Sequence, residues 1–141
     1  MTAQQLPNPA PYVSGETEPF WSGAKAGKLI LPHCTHCDHT IWYPKKFCGE
    51  CGSLVVEWRE ASGEGTLYSF TEVHRGEGTY RDLASFVLAL VDLDEGVRVL
   101  TNIVDADPAQ LVVGQRVRAV FHDAGDAAAL VRFTPLSQQS T

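Results

Sequence analysis

The chain has 141 residues and a mass of 15.4 kDa, room for one ordinary domain or two very small ones. With 44% apolar and 20% charged residues it has the composition of a folded protein. A formal net charge of -6 argues against holding nucleic acid through its phosphates, and no apolar run reaches the roughly 18 residues of a membrane span.

Residues 1–13, with Pro7, Pro9 and Pro11, read as a flexible or docking arm. Met1 to Tyr12 lacks the basic-then-apolar pattern of a secretory signal, which suggests a cytoplasmic protein. Residues 14–27 read as a short helix. Ser14 is the candidate N-cap, Glu16 and Glu18 suit the positive end of the dipole, Pro19 fits a first turn and Gly27 a stop. Phe20 and Trp21 are its only large apolar residues. Residues 28–60 hold all four cysteines, with strand-like Lys28 to Leu31, Thr40 to Tyr43 and Leu54 to Trp58.

Ser62-Gly63-Glu64-Gly65 opens a different texture over residues 61–136. Five runs rich in Val, Leu, Phe or Thr read as strands: Thr66 to His74, Ser85 to Asp92, Val97 to Val104, Arg116 to His122, and Ala128 to Thr134. Asp94-Glu95-Gly96 predicts a tight hairpin. Phe86 to Val91 is apolar throughout and predicts a strand covered on both faces. Asp105-Ala106-Asp107-Pro108 predicts a helix of one or two turns, capped by Asp105 or Asp107 and ended at Gly114. Five short strands with a helix between the third and fourth is the order of an OB-fold barrel, although a sandwich fragment fits the same length. Residues 137–141 read as a flexible tail.

Cys34-Thr35-His36-Cys37 and Cys48-Gly49-Glu50-Cys51 are two CxxC knuckles ten residues apart. Each places two thiolates on one turn, and two knuckles on neighbouring hairpins complete a tetrahedron around one ion. The pattern is that of a zinc ribbon with ligands Cys34, Cys37, Cys48 and Cys51; iron in a rubredoxin-like site is the lesser alternative. Four protein ligands leave no open position, so the ion's role is structural. His33, His36 and His39 crowd the first knuckle as surface imidazoles or hydrogen-bonding neighbours. Lys45 and Lys46 would offset the negative charge of a four-thiolate centre.

No GxSxG elbow, P-loop, GxGxxG or HExxH is present, and each cysteine has a metal role, so no catalytic residue is assigned. His74 and His122, at ends of expected strands, read as exposed polar positions.

Several stretches, in order, carry a resemblance. They run from Pro19-Phe20-Trp21 through Gly27-Lys28-Leu29 into the first knuckle, then Tyr43-Pro44 and Cys48-x-x-Cys51-Gly52-Ser53. Trp58, Ser62-Gly63-x-Gly65-Thr66, Tyr68-Ser69-Phe70-Thr71 and Val91-x-Leu93-x-Glu95-Gly96-Val97-Arg98 follow, then Asn102, Gly114-x-x-Val117 and Phe133-x-Pro135. Over about residues 18 to 135 the chain resembles a family, long labelled a domain of unknown function, that joins a short helix and a rubredoxin-like zinc ribbon to a C-terminal OB-fold. Asp38 departs from a usual glycine, Lys45-Lys46-Phe47 from a usual proline and arginine, and Ala84-Ser85-Phe86 from a proline-aromatic entry to the second strand.

The resemblance implies a mainly β protein and a partner. Family members look like companions of thiolase-fold, lipid-transfer-protein-like subunits that act on acyl-CoA thioesters, including a retro-aldolase of sterol side-chain degradation. This chain would then be a subunit of a lyase or acyltransferase complex, not catalytic alone, that stabilises its partner and helps shape CoA or acyl access. Phe20, Trp21, Trp42 and Tyr43 are the candidate interface residues, since large aromatics commonly anchor interfaces. Two other readings are a single-stranded nucleic-acid binder and a free-standing acyl-CoA binder. Against the first, residues 61–141 carry 6 basic and 11 acidic residues.

Overall fold

A computed structural model describes residues 5–136; the first four residues of the arm and the expected tail at 137–141 lie outside the described residues. A single α-helix, α1 (Glu18–Lys25), precedes the ribbon and is shorter than the 14–27 expectation. Ser14 is not its N-cap. The Ser14 N–H donates to Thr17 Oγ1 and the Thr17 N–H to the Ser14 carbonyl, both at 3.1 Å, which makes a separate turn. Thr17 is the N-cap residue but caps through no side-chain bond, its oxygen being engaged with Ser14. At the other end Lys28 N–H reaches the Gly23 carbonyl (2.8 Å) and Gly27 N–H the Ala24 carbonyl (2.9 Å). That paired closure needs a left-handed residue, supplied by Gly27 at φ 78°. Lys25 then ties the helix to the barrel through the Gly125 carbonyl (3.0 Å) and Asp123 Oδ1 (3.2 Å).

In the ribbon β1 (Ile30–Cys34) pairs antiparallel with β2 (Val56–Glu60), from Ile30↔Glu60 to Cys34↔Val56. The third strand expected over Thr40 to Tyr43 is reduced to one bridge, His33↔Thr40. Cys34 N–H to the His39 carbonyl and Ile41 N–H to the Pro32 carbonyl frame that bridge, both at 2.8 Å. The next rung would require an N–H from Pro32, which has none, so the ladder stops.

The five remaining strands are β3 (Glu64–Val73), β4 (Phe86–Leu93), β5 (Arg98–Ile103), β6 (Arg116–Asp123) and β7 (Ala129–Pro135). They close a barrel in the order β3-β4-β5-β7-β6, with β6 returning to β3 at Glu64↔Arg118 and Thr66↔Arg116. This is the OB-fold. Its seam is β5–β7, parallel and registered at a single pair, Ile103↔Phe133. Leu67, Val91, Val117 and Phe133 fill the interior, each 1% exposed or less. Gly65 lets β3 and β4 approach: a Cβ there would lie 2.6 Å from the Asp92 carbonyl oxygen. The β4–β5 hairpin turns through Asp94–Gly96, with Leu93 N–H on the Val97 carbonyl at 2.8 Å.

Two further expectations are corrected in the barrel. β4 is covered on one face only: Val87, Ala89, Val91 and Leu93 point inward and Leu88 is exposed, because a barrel wall has one interior. The helix expected after Asp105 is a single 3-10 turn, Pro108–Gln110, whose first free N–H, that of Ala109, is accepted by Asp107 Oδ1 at 3.0 Å. Leu111 follows in extended backbone with its side chain buried against the core, so the chain leaves the helical path at once. Among the described residues no helix is long and apolar enough to cross a membrane.

Candidate functional site

The two knuckles are built alike. Cys34 N–H bonds the His39 carbonyl and Cys34 O accepts from Asp38 N–H; Cys48 N–H bonds the Ser53 carbonyl and Cys48 O accepts from Gly52 N–H, all between 2.8 and 3.0 Å. Each turn closes with a left-handed residue, Gly52 at φ 78° and Asp38 at φ 63°. Asp38 therefore does the backbone work of the glycine it replaces, a conformation aspartate tolerates better than most residues. Its carboxylate is also used: Asp38 Oδ1 lies 2.7 Å from Nε2 of the buried His33, whose Nδ1 is 3.4 Å from Thr40 Oγ1. The imidazole thus braces the first knuckle against the one bridge of the aborted strand.

All four sulfurs lie within 4.8 Å of one another, and the closest pairs cross between knuckles: Cys34–Cys51 and Cys37–Cys48, each 3.6 Å. A tetrahedron of thiolates about 2.3 Å from zinc has edges of about 3.8 Å, so the donor set fits a zinc ion. Four thiols so close cannot all ionise without a cation. The Cys37 N–H holds Cys34 down at about 6, whereas Cys37 is pushed up to about 12 by loss of water around its sulfur and then by the other thiols. A bound dication removes that conflict and ties both knuckles into one unit; the zinc is structural. Lys45 lies alongside, its Nζ 5.1 Å from the Phe47 ring centroid and 3.2 Å from where a Gly49 Cβ would be.

Phe20, Trp21, Trp42 and Tyr43 form one edge-on aromatic seam between α1 and the ribbon. Ring centroids are 4.8 Å apart for Phe20–Trp21, 5.5 Å for Phe20–Trp42 and 5.1 Å for Trp42–Tyr43. Phe20 is buried at its centre and Tyr43 is half exposed at its rim. Behind the seam, at the open part of the β5–β7 junction, is a cavity of about 320 Å³ bordered by Trp21, Trp42, Val99, Leu130 and Arg132.

Arg132 is the residue the sequence reading missed. It is 2% exposed, and its terminal nitrogens reach the Pro7 carbonyl (2.6 Å), Asn8 Oδ1 (2.5 Å), His122 Nδ1 (2.8 Å) and the Tyr80 hydroxyl (3.3 Å). No local pattern marks it, because the arm and the Tyr80 loop that cover it are remote in sequence. His122 is accordingly a half-buried partner of Arg132 and not an exposed position; partial burial, then the Arg132 charge, hold its pKa below the ordinary value. His74 is exposed as expected.

The barrel's other charges bear on the nucleic-acid reading. Arg98 is paired with Asp92 (2.6 Å) and stacked on Tyr68, and Arg116 is paired with Asp94 (2.7 Å). Arginines spent on carboxylates add nothing to a phosphate track, and over residues 61–141 the 11 acidic residues outnumber the 6 basic ones.

Family models match in two consecutive stretches: the rubredoxin-like zinc ribbon domain of ChsH2 over residues 21–57 and the C-terminal OB-fold domain of ChsH2 over residues 58–122. A 3-oxo-4,17-pregnadiene-20-carboxyl-CoA hydratase alpha subunit from Mycobacterium tuberculosis is 35% identical over 117 residues, 82% of this chain and 37% of that protein. A DUF35 domain-containing scaffold protein from Methanothermobacter thermautotrophicus is 34% identical over 89 residues, 62% of this chain and 67% of the scaffold. The chain thus spans little more than a third of the hydratase subunit and two thirds of the scaffold protein. Among solved structures, a chain of an Ltp2-ChsH2(DUF35) aldolase superposes with a TM-score of 0.78 at 29% identity, over 89% of this chain and 98% of that one.

Proposed function

The chain belongs to the ChsH2 family of zinc-ribbon and OB-fold proteins, and we propose that it is a non-catalytic accessory subunit of a thiolase-like acyl-CoA enzyme. The observation that carries this reading is the superposition on nearly the whole of a chain from the Ltp2-ChsH2(DUF35) aldolase, at 98% of its length. The likeness therefore runs through both the ribbon and the barrel of this chain, not one of them alone. The name of the mycobacterial relative, a steroid-derived carboxyl-CoA hydratase subunit, supports acyl-CoA chemistry and sterol side-chain degradation as the setting.

The site chemistry supports the division of labour. Zinc held by Cys34, Cys37, Cys48 and Cys51 has no open position for substrate, so the reacting groups belong to a lipid-transfer-protein-like thiolase partner. In this chain the ion fixes the ribbon, and the ribbon fixes the aromatic seam. Tyr43 carries the seam to the surface and is the anchor that meets the partner, while Phe20, Trp21 and Trp42 hold it in place. A complex of this kind works in the cytoplasm, where reduced cysteines and CoA thioesters occur together. Co-expression with a thiolase-fold, lipid-transfer-protein-like protein from the same source tests the reading. The two chains should co-purify through a tag on either one, and retention of the tagged chain alone contradicts it.

A further inference from the structure

Among the described residues Arg132 is the one cationic side chain buried to this degree, and none of its hydrogen-bond partners is an acid: they are the Pro7 carbonyl, Asn8 Oδ1, His122 Nδ1 and the Tyr80 hydroxyl, while Asp105 bears on the cluster only through space, at His122. Burying a guanidinium among neutral acceptors alone is costly. The two oxygens from the arm are arranged in a particular way. Asn8 Oδ1 sits on Nη1 at 2.5 Å and the Pro7 oxygen on Nη2 at 2.6 Å, one on each tine of the fork. The two oxygens of a single carboxylate engage an arginine in the same pattern.

The cavity beside this fork has the matching character. Its walls come from α1, the Trp42–Tyr43 segment, β5, β7 and Pro9 of the arm, and enclose about 320 Å³. Although the chain has 17 acidic residues, none lines the cavity, and Arg132 is its only charged lining residue. Trp21, in the same wall, has a buried indole Nε1–H with no acceptor. Arg132 and the Trp21 indole thus lie just behind an apolar wall; Tyr80 is the wall residue that bonds Arg132, and the arm covers the rest of the fork.

We infer that this cavity binds an apolar carboxylate, whose two oxygens take the places of Asn8 Oδ1 and the Pro7 carbonyl on Arg132. The hydrocarbon part lies among Phe20, Trp21, Val99 and Leu130, and the arm is the neutral stand-in that the ligand displaces. At about 30 Å³ per non-hydrogen atom the space takes roughly ten such atoms, the size of octanoate. The inference is independent of the partner assignment, since it concerns a site within this chain.

The test titrates the zinc-loaded full-length protein with octanoate and with octanol, followed by tryptophan fluorescence and calorimetry; Trp21 and Trp42 both border the site. Octanoate should saturate one site per chain and bind about tenfold more tightly than octanol, as a charge-assisted pair requires. Asn8→Ala removes one competing oxygen from an arm outside the core and should tighten octanoate binding several-fold, the opposite of what a merely structural contact does. Leu100→Trp, at a cavity-lining position that is 65% exposed, should weaken both ligands without disturbing the fold. Absence of saturable binding, or an unchanged affinity in Leu100→Trp, overturns the site. Octanol binding as tightly as octanoate, or an Asn8→Ala protein that binds octanoate no better than the parent, overturns the carboxylate exchange.

Discussion

Removing one zinc ligand should unfold the knuckle end of the ribbon and leave the barrel standing. Cys48 is the informative position: its sulfur is fully buried and 3.6 Å from that of Cys37, so Cys48→Ser deletes a donor at the centre of the site. Ligation in such sites is worth about 10–16 kcal/mol. The knuckle end of the ribbon has little to replace it, because the buried cluster there is Cys34, Ile41 and Cys48 with Val56 partly covered. Burying Ile41 contributes about 1.5–3 kcal/mol, while each residue ordered costs about 1–2 kcal/mol. The other end of the ribbon differs, because Leu29 and Leu31 share one buried core with Phe20 and with Leu67, Val91, Val117 and Phe133 of the barrel. Hydrogen exchange read by mass spectrometry should therefore show protection lost in peptides covering the two knuckles and Ile41, and kept in β4 and β5. Zinc content should fall from one ion per chain towards none. A zinc-free Cys48→Ser protein whose knuckle peptides stay as protected as the parent's would show that the ion does not hold this end together.

Other substitutions test the packing and its titration. Gly23→Ala should destabilise, although alanine is the better helix former by about 1 kcal/mol, because the new Cβ would lie 2.3 Å from Ile30 Cγ1 and overpacking costs about 1–3 kcal/mol. Urea melts of Gly23→Ala with and without Ile30→Ala check this, the second change being expected to restore part of the loss. Phe20→Ala, at the buried centre of the aromatic seam, should cost about 3–5 kcal/mol in the same assay. His122 has a folded pKa below its ordinary 6.5, so the unfolded chain takes up the proton first. Its contribution to stability is complete above about 6.5 and is lost as the pH falls from there towards the folded value. His122→Gln should flatten that limb of the stability–pH curve, and an unchanged limb would assign the effect to another group.

What could be read from the sequence was local. The knuckles declare themselves because both ligands of each lie on one turn, and the spacing of the two turns implies a single ion. Gly27 and Gly96 mark a helix end and a hairpin because only a left-handed residue closes those turns, and both have positive φ. The apolar run of β4 misled, since composition does not say whether a second layer covers the outer face, and Leu88 is exposed. Pro32 stops the third ribbon strand only through the register in which Ile41 meets it, and register is a tertiary fact. Arg132 was illegible for the same reason: its partners Pro7, Asn8 and Tyr80 come from the arm and from a loop, and nothing in Val131-Arg132-Phe133 announces them. Asp38 was read as a departure from glycine and instead takes the same left-handed backbone while bonding His33.

The central claim is that this chain works as part of a complex, with a zinc-fixed ribbon presenting an aromatic anchor to a thiolase-like subunit. Sedimentation velocity of the zinc-loaded chain mixed with that purified subunit tests it most directly. The account expects a single faster species containing both chains, slowed back to its components by Tyr43→Ala. Two species sedimenting independently at micromolar concentration would contradict it.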